Sequence, residues 1–270
     1  MTGSIFGKRG MLFVLSGILM ALLLVASGAF AATPEEIKAR GKIVVLTAPG
    51  YFPFEMIDEN GDIIGFDMDI GKAIADDLGV KMEIVSITWD GIIPALETEK
   101  GDLILGGMAI TEERQKKILF SEPYFYAGLG LLLSEKYKDI KSWKDMDVKG
   151  VKIGVRLGQT SDFYSETFFK NAEIVKFTND TATMAMAVAD GKIDAAIHNT
   201  PWVLVYVKKN PKGLFAFVDE KHYEMPVGIG INQNSPELKK AVDATVKKIR
   251  ETKYDELYKY WFVDMPWFKE

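Results

Sequence analysis

Two arginines stand where the chain passes into helix-starting stretches, and each is suited to hold an anion. Arg114 follows Ile110-Thr111-Glu112-Glu113 at the predicted start of a helix. A planar guanidinium there can take a carboxylate through two parallel bonds, with backbone N–H groups around Gly107 to Ala109 as further donors. Arg156 opens the run Arg156-Leu157-Gly158-Gln159-Thr160-Ser161, a strand-to-helix passage. Thr160 or Ser161 is expected to cap that helix and leave N–H groups for an anion. Other chemistries find no support. The chain has no cysteine, and His198 and His222 are too far apart to suggest a local metal pair, so neither thiol nucleophile, disulfide nor zinc site is predicted. No phosphate loop or nucleophile elbow is present. The run 58–69 imitates a calcium loop, but it has Ile63 where glycine is needed and Asp69 where glutamate is usual. A hairpin turn at Asn60-Gly61 is predicted in its place.

These side chains act together only if a frame assembles them. Short apolar runs rich in β-branched residues, at 43–47, 82–87, 103–105, 151–155, 174–177 and 193–197, alternate with helix-period segments at 66–78, 91–99, 181–189 and 236–250. Such alternation predicts an α/β fold with parallel-type sheets, in which ligands sit at the carboxyl ends of strands. In the last helix Ser235 is expected as N-cap and Pro236 in the first turn, with Leu238, Ala241, Val242, Val246 and Ile249 on one stripe. The stretches 99–107 and 190–199 repeat one plan, a charged glycine-containing turn and then an apolar strand ending in small or polar residues. Two lobes could present such strand ends across a cleft.

With 33 Lys and Arg against 38 Asp and Glu, the chain lacks the basic surplus that neutralises nucleic-acid phosphates, and its 48% hydrophobic content is that of a globular protein. Lys8 and Arg9 precede an apolar run at 11–26, and Ala29-Phe30-Ala31 offers the small-x-small pattern of a signal-peptidase site. An export signal over 1–31 is therefore predicted, with a mature chain from Ala32. The run is shorter than the roughly 20 apolar residues a membrane span requires, so no membrane insertion is expected after cleavage.

A set of segments in fixed order carries a closer likeness. They are Tyr51-Phe52-Pro53-Phe54-Glu55, Gly65-Phe66-Asp67-Met68-Asp69-Ile70, Trp89-Asp90-Gly91-Ile92-Ile93-Pro94-Ala95-Leu96 and Gly106-Gly107-Met108-Ala109-Ile110-Thr111-Glu112-Glu113-Arg114, then Phe120-Ser121-Glu122-Pro123-Tyr124 and the run 254–262. Over essentially the whole mature chain this resembles the extracytoplasmic solute-binding proteins of family 3, the amino-acid receptors of ABC importers, with glutamine- and histidine-type receptors as the nearest pattern. The resemblance implies a type II periplasmic-binding-protein clamp, an α/β fold of two lobes closing on one small ligand. It further implies a periplasmic monomer that serves an ABC permease and uses no cofactor, metal or catalytic residue. It places lobe 1 at 32–127 and 226–270, lobe 2 at 128–225, and the chain crossings near 127–130 and 223–227.

The same resemblance gives Arg114 the ligand carboxylate, with Gly107 and Ala109 beside it and Thr160 as a second-lobe contact. Tyr51 and Trp89 become aromatic walls, and Arg156 a group reaching the ligand side chain. Phe52, Phe54 and Trp261 are left to packing. Departures from the pattern are informative. Asn199 stands where α-amino-acid receptors carry an Asp that neutralises the ligand ammonium, Ala109 where a hydroxyl is usual, and Ala48 where glutamine- and lysine-type receptors have another Asp. A buried ammonium without a counter-charge is costly. The expected ligand therefore bears a carboxylate and little or no positive charge, unless Glu55 or Asp162 supplies the missing acid. The fold also hosts other functions: a cyclohexadienyl-dehydratase-like enzyme, for which Glu55 and His198 would be the candidate acids, and a soluble sensory subunit.

Overall fold

The structure, a computed structural model, describes residues 32–178, 181–210, 213–218 and 224–268; the expected export signal, His222 and Tyr223 lie outside them. Local signals set the first elements. Thr33 and Glu36 form a reciprocal cap at the start of α1 (Pro34–Arg40), and Gly41 ends it in the left-handed region at φ 74°. Strand β1 (Lys42–Thr47) follows, buried over all but its first residue. The expected hairpin is present as β2 (Met56–Ile57) and β3 (Ile63–Ile64), which pair antiparallel around the Asn60-Gly61 turn. The Asp58 carboxylate accepts the N–H groups of Asn60 and Asp62. Helix α2 (Phe66–Leu78) occupies the residues its periodicity predicts and stops at Gly79, φ 71°.

Two five-stranded sheets organise the described chain. In the first, β4 (Lys81–Ser86) and β5 (Leu103–Ile104) flank β1 in parallel, while β14 (Gly230–Asn232) runs antiparallel between β5 and β6 (Ile118–Phe120). In the second, β10 (Glu173–Phe177) and β11 (Ala195–Asn199) flank β9 (Lys152–Arg156) in parallel. Strand β8 (Leu129–Ser134) runs antiparallel between β11 and β12 (Leu214–Val218). The sheets are thus mixed, where alternation had predicted parallel strands alone. β8 and β14 are the strands by which the chain arrives in each sheet after crossing between them, and a crossing reverses direction.

The crossings themselves pair as an antiparallel ribbon, β7 (Phe125–Ala127) with β13 (Met225–Val227). The first lies a little before the expected 127–130, because Leu129 already belongs to β8. After β14 the chain packs back on the first sheet through α8 (Pro236–Thr252), whose buried residues include Leu238, Val242, Val246 and Ile249. Ser235 holds the N-cap position there but makes no side-chain cap bond, contrary to expectation. Trp261 closes this return segment by donating Nε1–H to Asp69 at 2.7 Å, in keeping with a packing role.

Candidate functional site

The carboxyl ends of β1 and β5 face the second sheet's β9 and β11, and the predicted binding residues gather there. Tyr51, Trp89, Gly107, Ala109, Arg114, Thr160 and Asn199 line one narrow cavity, together with Gln159. Arg156 is not on that wall. It borders a second small cavity with Trp89, Asp90, Leu157 and Thr178, so the Trp89 indole separates the two spaces. Gln159 was missed by sequence reasoning, although it sits inside the strand-to-helix run already singled out.

Arg114 reaches the cleft from α4 (Glu112–Gln115), where the Thr111 hydroxyl accepts the Arg114 N–H at 3.3 Å. Its Nη1 donates to the Ala109 carbonyl at 2.8 Å and its Nη2 to the Gly158 carbonyl at 3.2 Å, the latter across the cleft. The guanidinium carbon lies 5.3 Å from the Trp89 ring centre. The residue is only 7% exposed, and burial pulls its pKa down to about 10. Burial is the only cause at work, which means that no carboxylate among the described residues balances this charge. Trp89 joins the same bridge, donating Nε1–H to Gly158 O at 3.3 Å.

Gly107 plays a different part from the one expected. Its N–H donates to the buried Asp67 carboxylate at 2.7 Å and is not available to a ligand. What Gly107 provides is space: at φ +57°, an added Cβ would stand 2.3 Å from Tyr51 Cε1. Asp67 also accepts the Tyr124 hydroxyl at 2.8 Å, and burial raises its pKa to about 7 against the pull of these two bonds. The helix α5 (Thr160–Phe168) likewise starts one step away from the prediction. Gln159 is its N-cap residue and makes no side-chain cap bond, while Thr160 and Ser161 lie within the first turn. Asp162 turns back to accept the Gly158 N–H at 3.1 Å and pairs with Lys176 at 2.9 Å. Those bonds engage Asp162 within its own part of the chain.

Asn199 ends β11 and stands at the N-cap position of α7 (Thr200–Lys209) without bonding the helix through its side chain. Beside it, His198 is fully buried, its ring 4.9 Å from Tyr51 and stacked 4.5 Å from Trp202. Both its nitrogens lack a hydrogen-bond partner, as do the Tyr51 hydroxyl and Glu55 Oε2. Burial, reinforced by Arg156, holds the imidazole pKa well below its usual value. Desolvation drives Glu55 the other way, well above the ordinary carboxylate range. One more bond spans the cleft: Thr181 donates its hydroxyl to Gly50 O at 2.6 Å while accepting the Trp202 indole N–H at 2.9 Å. No cluster of three or more metal-ligating side chains occurs among the described residues. No helix among them is long and apolar enough to cross a membrane.

Comparison with known proteins agrees with this geometry. Residues 43–264 match the model of the bacterial extracellular solute-binding proteins, family 3. The lysine/arginine/ornithine-binding periplasmic protein of Escherichia coli (strain K12) is 30% identical over 92% of this chain and 96% of its own length. Among solved structures, an ancestral amino-acid-binding protein described as a precursor of cyclohexadienyl dehydratase is 40% identical, with TM-score 0.78, covering 86% of this chain and all of its own. An ancestral arginine-binding protein, solved with arginine and with glutamine, is 36% identical with TM-score 0.77, over 83% of this chain and 99% of its own. The chain belongs to family 3 of the bacterial extracellular solute-binding proteins, and its fold is the two-lobe clamp.

Proposed function

We propose, with that membership as premise, that this protein is an extracytoplasmic receptor that closes on a small carboxylate-bearing solute, an amino acid or related organic acid, and delivers it to an ABC permease. One observation carries the reading: Arg114 is a buried guanidinium whose partners are two carbonyls and an indole face, with no acid among the described residues to balance it. A ligand carboxylate supplies that balance through a charge-assisted, bidentate contact. Thr160, at the N-terminal turn of α5, adds a contact from the other lobe, so the carboxylate is held from both sides and favours closure. Tyr51 and Trp89 flank the ligand, and Asn199 faces its α-position as a neutral group. The amino acids bound by these relatives support the class.

The reading includes export by the segment 1–31, a periplasmic monomer, and lobes at 32–127 with 226–270 and at 128–225. A thermal-shift screen of amino acids, keto acids, dicarboxylates and amides tests it, run on the wild type and on Arg114→Ala. A ligand at 100 times its Kd adds about 2.7 kcal/mol of stability. The wild type alone should shift; if no carboxylate shifts it, the receptor reading fails. A cleft enzyme is the second reading, favoured by the buried Glu55, whose carboxyl pKa burial raises well above the ordinary range, the direction a general acid needs. Chemical change in a bound acid over hours would establish it.

A further inference from the structure

Two carboxamide side chains stand at helix starts without capping them. Gln159 is the N-cap residue of α5 and Asn199 that of α7, and neither side chain bonds to its helix. An asparagine in that position ordinarily accepts one of the helix's free N–H groups. Here both residues line the cavity beside Arg114, and each is only 6% exposed. The backbone of Gln159 is fully engaged: its N–H donates to Arg156 O, and its carbonyl accepts from the N–H groups of Asp162 and Phe163. Its side chain is not, for the buried Oε1 has no hydrogen-bond partner. A buried acceptor left in that state is costly, and a donor brought in by a ligand relieves the cost.

The rest of the wall decides which donor fits. Arg114 is its one ionised side chain among the described residues, and neither Glu55 nor Asp162 is part of it. With a carboxylate on Arg114 the buried charges sum to zero. An α-ammonium would add a positive charge that no anion on the wall pairs, which is costly in a desolvated space. An α-keto oxygen is an acceptor only, and an unsubstituted α-carbon offers nothing, so both leave Gln159 Oε1 without a partner. An α-hydroxyl adds no charge, donates its proton to that oxygen, and has lone pairs left for the Asn199 amide N–H. We propose that Gln159 is a specificity-determining residue of this site and that the solute is an α-hydroxy carboxylate, its hydroxyl bonded to Gln159 Oε1. This rests on the receptor reading above and names its substrate class.

Isothermal titration of the mature chain with matched sets that differ only at the α-carbon tests it. One set is L-phenyllactate, L-phenylalanine, phenylpyruvate and phenylpropionate; another is L-α-hydroxyglutarate, L-glutamate, α-ketoglutarate and glutarate; a third is L-argininic acid, L-arginine, α-ketoarginine and δ-guanidinovalerate. In a set that binds, the hydroxy acid should bind about fivefold or more tighter than the other three, the value of satisfying a buried acceptor. Gln159→Met, which removes the acceptor at similar size, should erase its advantage over the unsubstituted acid. Gln159→Glu should pass the advantage to the amino acid by giving the ammonium an anion. An amino, keto or unsubstituted acid ranking first on the wild type overturns the proposal, as does a hydroxy preference that survives Gln159→Met. Where the methionine variant fails to fold the glutamate variant decides, a hydroxy acid still ranking first overturning it. Binding in none of the sets, with Arg114-dependent binding of another carboxylate, also overturns it while the receptor reading stands. Absence of any Arg114-dependent carboxylate binding overturns both.

Discussion

Replacing Arg114 by methionine separates binding from folding more sharply than any other change. The fall of its pKa from 12.5 to about 10 corresponds, at 1.36 kcal/mol per unit, to about 3 kcal/mol set against the charged guanidinium by burial. The sign matters. At pH 7, below both values, the group is charged folded and unfolded, so the whole cost is present and would be relieved only as pH rises through 10 toward 12.5. Arg114→Met removes that cost and loses the bonds to Ala109 O and Gly158 O, each worth about 1.5–3 kcal/mol for a charged donor. The terms nearly cancel, so urea melts should place the variant within about 2 kcal/mol of wild type. Binding has no such compensation. Truncating one partner of a buried charge pair costs about 2–5 kcal/mol, or about 30-fold to a few thousandfold in Kd. Calorimetry with a ligand found by the screen measures it. A variant that binds as wild type, or one that unfolds while a folded remnant still binds, would show that Arg114 braces the fold and that the carboxylate sits elsewhere.

Three further outcomes are expected. Asn199→Asp should reverse a wild-type preference for a deamino carboxylate over its α-amino analogue, because the new carboxylate pairs an ammonium and is wasted on the deamino compound; paired titrations that move together would refute this. Gly107→Ala should cost about 1–3 kcal/mol through its φ of +57° and the clash with Tyr51, and abolish binding by displacing that ring; thermal melts and titrations check both. His198→Phe should keep the contacts with Tyr51 and Trp202 and flatten the acid side of the stability profile. Above the usual imidazole value of 6.5 the ring is neutral in both states. As pH falls below it, the unfolded chain gains a proton that the buried ring refuses, so wild-type stability drops and the variant's should not.

Elements with local punctuation were legible in the sequence. The helix Phe66–Leu78 was read to the residue because its apolar stripe is long and Gly79 stops it, and Thr181–Ala189 was read as well. Strands β8 and β14 escaped because Leu129–Ser134 and Gly230–Asn232 are buried on both faces and show no alternation. The cap assignments at Ser235 and at Thr160 or Ser161 failed for another reason. A hydroxyl near a helix start is a competent cap, but which residue adopts the cap geometry is settled by how the preceding strand delivers the chain. At the site, the cavity wall followed from the resemblance, since its segments keep their order. The fate of the Gly107 N–H did not, because its acceptor, Asp67, lies 40 residues away in sequence and meets it only in the folded chain.

The contacts across the cleft suggest how ligand chemistry is converted into closure. Arg114 and Trp89 both donate to one acceptor, the carbonyl of Gly158, from the opposite lobe. A neutral carbonyl shared by a guanidinium and an indole is a weak claim on a buried cation, since only a dipole faces a full charge. A carboxylate placed against Arg114 brings a full negative charge and two acceptor oxygens to the same guanidinium, and Thr160 and Gln159 of the Gly158 loop line the same space. In the proposed function, lobe closure is favoured by the difference between those two acceptors, not by the contacts the lobes make with each other. In the proposed function the cost of burying Arg114 is what makes that difference large, because a ligand carboxylate would balance a charge that no acid among the described residues balances.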